Sequence, residues 1–91
     1  MKIIKQDDVK YYIENNIPIK IRIPEGEDNL KIQQKLNLFG CVWFSGDLTI
    51  DIDYMYGILI RNRTMTYTQI KNNFDRKDSH KELDYDLFLK L

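Results

Sequence analysis

Apolar residues recur with two different periods in the first quarter of the chain. Val9, Tyr12 and Ile13 share one face of a helix, which is predicted to run from residue 7 or 8 to residue 16. From residue 17 to 23 isoleucine fills every second position, which predicts a strand with one buried face. The residues expected to face solvent on its other side are Lys20 and Arg22.

A second helix is predicted between a turn and a glycine. In "IPEG" we place Pro24 second and Gly26 fourth in a type I turn, after which Asp28 or Asn29 is expected to cap the helix. Gly40 is expected to end it, because glycine adopts the left-handed conformation of a helix terminator without steric cost. The core stripe of this helix is Ile32, Leu36 and Phe39.

Leu30 and Leu38 lie on roughly the opposite side of the same predicted helix. This second apolar stripe indicates either a contact between copies of the chain, as in a homo-oligomer, or frayed helix ends folded onto neighbouring loops. The sequence leaves both interpretations open.

Strand patterns follow in the second half of the chain. Some are apolar throughout, and others alternate between apolar and polar positions, as in "LTIDID". Ser45-Gly46-Asp47 predicts a tight reversal, and Gly57 predicts a bulge or a close approach of two backbones. The predicted strands span residues 41–45, 48–53, 58–60 and 65–70.

The last two of these strands are predicted to form a hairpin that turns at residues 61–64. Asn62 tolerates positive φ, but Arg63 is a poor residue for a second such position. A type I turn with a bulge is therefore favoured over a type I′ turn.

The end of the chain is predicted to hold little regular structure. Residues 71–80 are polar and predicted to be a loop, Glu82-Leu83 a brief edge strand, and Asp84 the cap of a final helical turn. A competing interpretation begins one helix at Ser79, because Ser79 and Glu82 have the spacing of a capping box.

Together these elements predict an α+β fold. A small antiparallel sheet of about four to five strands is expected to pack on one main helix, with a short N-terminal helix added. The 91 residues are expected to form one domain, spanning 1–91, because a chain of this length cannot divide its core in two. Within it, residues 1–16 are the helical extension and residues 17–91 the core.

The charges of the chain cancel. Lys and Arg number 14, as do Asp and Glu, so a basic nucleic-acid-binding protein is disfavoured. Cys41 is the only cysteine, which excludes a disulfide within the chain. The sequence shows no signal peptide and no apolar run long enough for a membrane span, so a cytoplasmic location is expected.

The aspartates at positions 47, 51 and 53 fall on one side of a predicted strand. A strand spreads such carboxylates about 7 Å apart, whereas Ca²⁺ and Mg²⁺ need converging oxygen ligands, so no metal site is expected. We expect an acidic face that pairs across the sheet with the basic side chains of the first strand. These aspartates are Asp47, Asp51 and Asp53, and their expected partners are Lys20 and Arg22.

Catalytic chemistry is disfavoured. Cys41 lies in an apolar segment, where burial raises a thiol's pKa, and His80 lies in a polar loop without a paired carboxylate. The sequence also lacks a glycine-rich phosphate loop and the common hydrolase motifs. We therefore expect a protein that is not an enzyme and has no cofactor.

Aromatic rings and guanidinium groups supply the candidate ligand-binding residues. Rings stack on nucleobases and arginine binds phosphate in a fork, so their combination is typical of nucleotide or nucleic-acid capture. The alternative is that the rings fill a pleated surface and the arginines solubilise a hairpin. The candidates are Trp43, Tyr54, Tyr56, Tyr67, Arg61 and Arg63.

The segments "KIQQKLNLFGCVWFSGD", "GILIRNRTMTY" and "KELDYDLFLKL", with Phe74 between the last two, resemble small uncharacterised bacteriophage proteins. The shared pattern is a helix with Ile-Gln and Leu, a Gly, a Trp two or three residues on, a Gly-containing turn, a Thr-x-Tyr hairpin and a closing Glu-Ile/Leu segment. The resemblance spans residues 17–91. Its matching positions here are Ile32, Gln33, Leu36, Gly40, Trp43, Gly46, Tyr67, Glu82 and Leu83.

This resemblance implies a phage accessory protein that acts in an infected bacterial host. Many compact, non-enzymatic proteins of that class counter host defence by stoichiometric binding. We therefore expect the chain to sequester a signalling nucleotide or to block a defence protein, for which the acidic face could imitate nucleic-acid phosphates. The alternative is a nucleic-acid-binding accessory protein.

Overall fold

The computed structural model describes residues 5–91. The start of the predicted N-terminal extension, residues 1–4, lies outside the described residues. The helices are α1 (Gln6–Glu14), α2 (Asn29–Leu38), α3 (Lys71–Asp75) and α4 (Tyr85–Leu89). The strands are β1 (Ile19–Arg22), β2 (Val42–Trp43), β3 (Gly57–Arg61), β4 (Thr64–Thr68) and β5 (Lys81–Leu83).

The five strands form one mixed sheet in the order β2-β4-β3-β1-β5. The predicted α+β class and strand number are confirmed. The central strands β1, β3 and β4 are antiparallel as expected, but the outer pairs β1–β5 and β2–β4 are parallel. Parallel neighbours need a long crossover connection, and both outer pairs join strands separated by other elements.

The sheet has an inner face that forms the core and an outer face that is more polar. In register, Ile19 and Ile60 pair on the inner side, whereas Lys20 and Leu59 pair on the outer side. The inner face packs against α1, α2 and α4 through one continuous cluster of buried apolar side chains. Only α3 covers part of the outer face, where Phe74 is buried apart from that cluster.

Both predicted ends of α2 are confirmed. Asp28 caps the helix, its carboxylate accepting a hydrogen bond from the Leu30 N–H at 2.9 Å. At the other end Gly40 has φ +87°, and the N–H of Cys41 donates to the carbonyl of Leu36 at 3.1 Å. This is the Schellman arrangement, which satisfies carbonyls that a helix end leaves free.

Residues 48–53 do not form the strand that their alternation predicted. Ile50 and Ile52 are half-buried and Asp51 and Asp53 are exposed, so the alternation in burial persists without a strand partner. Side-chain amides of α2 replace that partner. Gln33 donates to the Ile50 carbonyl at 3.1 Å and accepts from its N–H at 2.8 Å.

Two turns differ from the sequence-based expectation. The first closes between Pro24 and Glu27, with Gly26 third at φ +83°, as in a type II turn rather than the predicted type I. In the hairpin, Asn62 and Arg63 have φ of 54° and 62°, so the turn is type I′ without the predicted bulge. The pairing of Arg61 with Thr64 leaves a two-residue turn, which requires positive φ at Arg63 although arginine seldom adopts it.

The loop predicted over residues 71–80 contains the short helix α3. Phe74 of this helix covers Gly57, where an added Cβ would overlap its ring, so the closest approach at Gly57 is made by a side chain and not by a second backbone as predicted. Lys20, predicted to face solvent, is 8% exposed because its ammonium donates to the Phe74 carbonyl at 3.1 Å. The prediction for Lys20 was therefore wrong, because α3 covers that part of the outer face.

The end of the chain follows the first of the two interpretations of the sequence. Lys81–Leu83 forms an edge strand, and the carboxylate of Asp84 caps α4 by accepting from the Leu87 N–H at 3.0 Å. A single helix beginning at Ser79 is therefore wrong.

Candidate anion-binding groove

A shallow groove runs along the outer face beside α3. It consists of two adjoining cavities of about 440 and 450 Å³, which share Leu59 and Lys77 in their linings. Threonines of β4 form part of its floor, and the segment that follows α3 forms one wall. We call this surface the basic groove, and its polar lining includes Arg61, Thr64, Thr66, Thr68, Arg76, Lys77 and His80.

The basic groove holds cations without carboxylate partners. Among the described residues that line its two cavities there is no Asp or Glu. Within residues 5–91 the one ion pair is Lys71–Asp75, which spans α3 and does not include a cation of the groove. Arg61, Arg76 and Lys77 are exposed, so their charges are free to meet an anion from solution.

The wall of the groove is positioned by the contact of Phe74 with the sheet. The N–H of Lys77 donates to the Phe74 carbonyl at 3.2 Å, and the N–H of His80 donates to the Lys77 carbonyl at 3.0 Å. These two successive turns lead the chain from α3 to the start of β5. The wall therefore depends on the small size of Gly57, which lets the Phe74 ring approach.

His80 sits at one end of the groove in an environment that disfavours its charged form. Burial lowers the pKa of its imidazole, and the nearby cations Arg61, Lys77 and Lys20 lower it further. Its Nδ1 is buried and has no hydrogen-bond partner among the described residues. The imidazole is therefore favoured in its neutral form when no anion is bound.

Next to the groove, aromatic rings and cations pack together over Gly57. The Tyr56 ring meets the Phe74 ring edge-on, with centroids 5.5 Å apart. The Arg22 guanidinium lies 5.0 Å from the centre of the Tyr56 ring, and the Lys20 ammonium lies 4.8 Å from that of Phe74. The contact of Lys20 with Phe74 helps to hold α3 on the sheet.

The structure separates the six predicted ligand-binding residues into different regions. Arg61 lines the basic groove, Tyr56 lies beside it, and Tyr54 is 49% exposed in the connection before β3. Arg63 instead points toward the C-terminal end of α2, with its guanidinium beside Gly40. Trp43 belongs to the inner face, whereas Tyr67 packs against the inner-face cluster and also lines the second cavity of the basic groove.

Trp43 is a core residue in this structure. Its indole is 1% exposed, donates to the Gln33 side-chain oxygen at 3.0 Å, and meets the Tyr67 ring edge-on with centroids 6.0 Å apart. A buried ring has no free face for a base, so Trp43 is not available for stacking. The sequence could not distinguish a ring that packs from one that binds.

Arg76 and Lys77 were absent from the sequence-based candidates because they lie in a segment predicted to be a featureless loop. The alternation of Thr64, Thr66 and Thr68 did indicate a polar strand face, since residues two apart on a strand share one face. Nothing local in the sequence indicated that residues 76–80 would lie across that face.

The predicted acidic face is not a strand face. Asp51 and Asp53 line a separate cleft of about 450 Å³ together with Glu27 and Asp28. Asp47 lies elsewhere and accepts a hydrogen bond from the Ser45 hydroxyl at 2.9 Å.

The expected pairing of these aspartates with Lys20 and Arg22 is wrong, because no such ion pair occurs in residues 5–91. In the same part of the chain, no three His, Cys, Asp or Glu side chains come together as metal ligands.

Cys41 is fully buried, and this burial raises the pKa of its thiol to about 11.

Several large apolar side chains are exposed around β2 and the end of α2. Leu38 is 81% exposed, Phe44 68% and Leu48 62%, and Leu30 at the start of α2 is 40% exposed. Leu30 and Leu38 thus remain candidates for the predicted contact between copies of the chain. Within the described part of the chain, no helix has the length and apolar character needed to cross a membrane.

Comparison of the chain with protein-family models, curated proteins and solved structures finds no match.

Proposed function

We propose that this protein is a non-catalytic binding protein that captures a phosphate-bearing ligand in the basic groove. The observation that carries the proposal is the set of cations at positions 61, 76 and 77, which line the groove without a carboxylate. In a chain with no net charge, such segregation leaves a local positive potential that attracts anions.

The groups in the groove match the chemistry of phosphate. Arginine donates two parallel hydrogen bonds to phosphate oxygens, and lysine adds a mobile positive charge. The exposed hydroxyl of Thr66 on the floor can donate to a further oxygen. Tyr56 beside the groove is partly exposed, and its ring packs against Phe74 and the Arg22 guanidinium.

The biological role that we propose follows the resemblance to phage accessory proteins. Such a protein would counter host defence stoichiometrically, by sequestering a signalling nucleotide in the cytoplasm of an infected bacterium. Blocking a defence protein is the other form of this role, and the acidic cleft around Asp51 and Asp53 is its candidate surface. The basic groove favours nucleotide capture.

Native mass spectrometry of the protein purified from infected or defence-expressing cells tests the proposal. We expect a retained small molecule containing phosphorus, and we expect Lys77→Glu to lose it while Lys31→Glu keeps it. Lys31 is an exposed residue of α2, on the other side of the sheet, so both variants reverse one surface charge. Equal retention by both variants would place the ligand outside the groove.

Nucleic-acid binding is the second candidate function, and the open shape of the groove favours it. The strands along which the groove runs have five residues each, about 16 Å in length. A single-stranded nucleic acid bound there would lose affinity steeply with salt, in proportion to the phosphates it engages. A mononucleotide would show a much shallower dependence.

A further inference from the structure

We propose that the ligand of the basic groove carries at least two phosphate groups, one in each cavity, on either side of Leu59 and Lys77. This inference rests on the proposed function and adds the class of ligand. The ligand is a short phosphodiester of nucleosides, either a 5′-phosphorylated dinucleotide or part of a single-stranded nucleic acid.

The first argument is the division of the cations between the two cavities. The hairpin cavity contains Arg61 and His80, the helix cavity contains Arg76, and Lys77 lines both. The two cavities are nearly equal in volume, about 440 and 450 Å³. Each therefore offers a cation of its own together with a share of the same ammonium group.

The second argument is the distance between the two ends. Thr64 lines the hairpin cavity and Thr68 the helix cavity, and four residues of strand separate them by about 13 Å. Hydrogen bonds to phosphate oxygens require donors within about 3 Å. One phosphate cannot lie within that distance of both strand positions, whereas two phosphates joined through a sugar can.

The third argument is the apolar surface between the two ends. Leu59 is partly buried on the outer face and lines both cavities. An uncharged sugar or base between two phosphates would cover this side chain, whereas a compact polyphosphate would place charge against it. Apart from the shared Lys77, the order of Arg61, Leu59 and Arg76 along the groove thus matches phosphate, nucleoside and phosphate.

The cavities also differ in a way that orients the ligand. The hairpin cavity holds Arg61, Lys77 and His80, with the Lys20 ammonium close enough to affect the imidazole. A terminal phosphate carries about −1.5 to −2 charges at neutral pH, whereas a bridging phosphodiester carries one. The terminal phosphate belongs in the hairpin cavity and the phosphodiester in the helix cavity.

Isothermal titration calorimetry with three probes tests this arrangement. The probes are AMP, the 5′-phosphorylated dinucleotide pApA and a ten-residue deoxyadenosine strand. We expect pApA to bind at least tenfold more tightly than AMP, because it adds one charge-assisted contact. The variants are Arg61→Gln and Arg76→Gln, both exposed in the free protein, with Lys31→Gln as the matched control.

The expected pattern distinguishes the two ends of the groove. Arg61→Gln weakens both AMP and pApA by about tenfold or more, whereas Arg76→Gln weakens pApA by a similar factor and AMP less than threefold. Lys31→Gln changes neither. Equal melting temperatures of the variants exclude a loss of folding as the cause.

Each alternative outcome has a definite meaning. Equal affinity for AMP and pApA, with no effect of Arg76→Gln, would overturn the two-phosphate inference and leave the proposed function standing. Failure of all three probes to bind would overturn both. A dinucleotide that binds as tightly as the ten-residue strand supports a dinucleotide ligand, and much tighter binding of the strand supports nucleic acid.

Discussion

The two faces of the sheet use polar side chains in opposite ways. On the inner side Gln33 is fully buried and uses both ends of its amide, binding the Trp43 indole, the Ile50 backbone and the Asn29 side chain. On the outer side the cations of the basic groove have no carboxylate within ion-pair distance among residues 5–91. The inner face completes its own hydrogen bonds, whereas the cations of the basic groove form no ion pair within residues 5–91.

This difference separates the part of the molecule that stabilises the fold from the part that we propose binds a ligand. Buried polar groups with all partners in place stabilise a unique packing, whereas exposed charges contribute little to stability when they are unpaired. We therefore expect substitutions on the inner side to affect folding. Substitutions of exposed groove residues should affect binding, except where they reach Phe74 or the hairpin backbone.

The largest effect is expected for Gln33→Ala. The change leaves the Trp43 indole N–H and both backbone groups of Ile50 without partners, and removes the support of residues 48–52. We expect a loss of about 3 to 5 kcal/mol in the free energy of unfolding. Urea denaturation measures it, with Gln34→Ala, an exposed neighbour on α2, as a control that should change stability by about 0.5 kcal/mol or less. Similar values for both variants would contradict the role of Gln33.

The second largest effect is expected at the contact between Gly57 and Phe74 on the outer face. Gly57→Ala places a Cβ against the Phe74 ring, so we expect a loss of about 2 kcal/mol in the free energy of unfolding. In a Phe74→Ala background the same change should cost much less, because the obstructing ring is gone. Additive effects of the two substitutions in a double-mutant cycle would show that the clash is not the cause.

A smaller and opposite effect is expected at the hairpin. Arg63→Gly relieves a positive φ of 62° at a type I′ position, so we expect a gain of about 1 kcal/mol in the free energy of unfolding. Arg63→Ala also removes the guanidinium but keeps a Cβ, and should show no such gain. Thermal or urea denaturation of the two variants separates backbone relief from loss of the side-chain contact near Gly40.

The smallest effect is expected from the protonation of His80. Its folded-state pKa lies below the ordinary value of 6.5 because of burial and nearby cations, so the unfolded chain binds a proton first as the pH falls. The contribution of neutral His80 to stability is present near pH 7.5 and declines below about pH 6.5. Denaturation in phosphate-free buffer near pH 7.5 and near about pH 5.5, below the unfolded-state pKa, should show a weaker pH dependence for His80→Gln. An unchanged pH dependence would mean that the imidazole titrates as it does in water.

Much of the fold could be predicted from local sequence patterns. Asp28 capped its helix as expected, Gly40 ended it, and the tail formed an edge strand followed by a helix capped at Asp84. The strand predicted at residues 48–53 was wrong, because alternation predicts burial of one side of the chain but does not identify the backbone or side chain with which that segment will pair. There the backbone pairs with the amide of Gln33 instead of a strand.

The residues of the candidate site could be predicted from the sequence only in part. Arg61 and Tyr56 were identified by residue type, but the same reasoning selected Trp43, which the core encloses. Arg76 and Lys77 were missed because their role depends on a long-range contact between Phe74 and Gly57. No local pattern indicates which loop lies over which strand.

The sequence alone determined most of the helical and extended segments, with residues 48–53 and α3 as exceptions. It also determined where α2 begins and ends, and that positive and negative charges are equal in number. These properties depend on residues near one another in the chain, through caps, glycine conformations and side-chain periodicity. Only the tertiary structure decided how the charges are distributed, with acidic residues around the cleft at Asp51 and cations along the basic groove. The physical reason is that electrostatic attraction of a ligand depends on distances in space, and packing sets those distances between residues far apart in sequence.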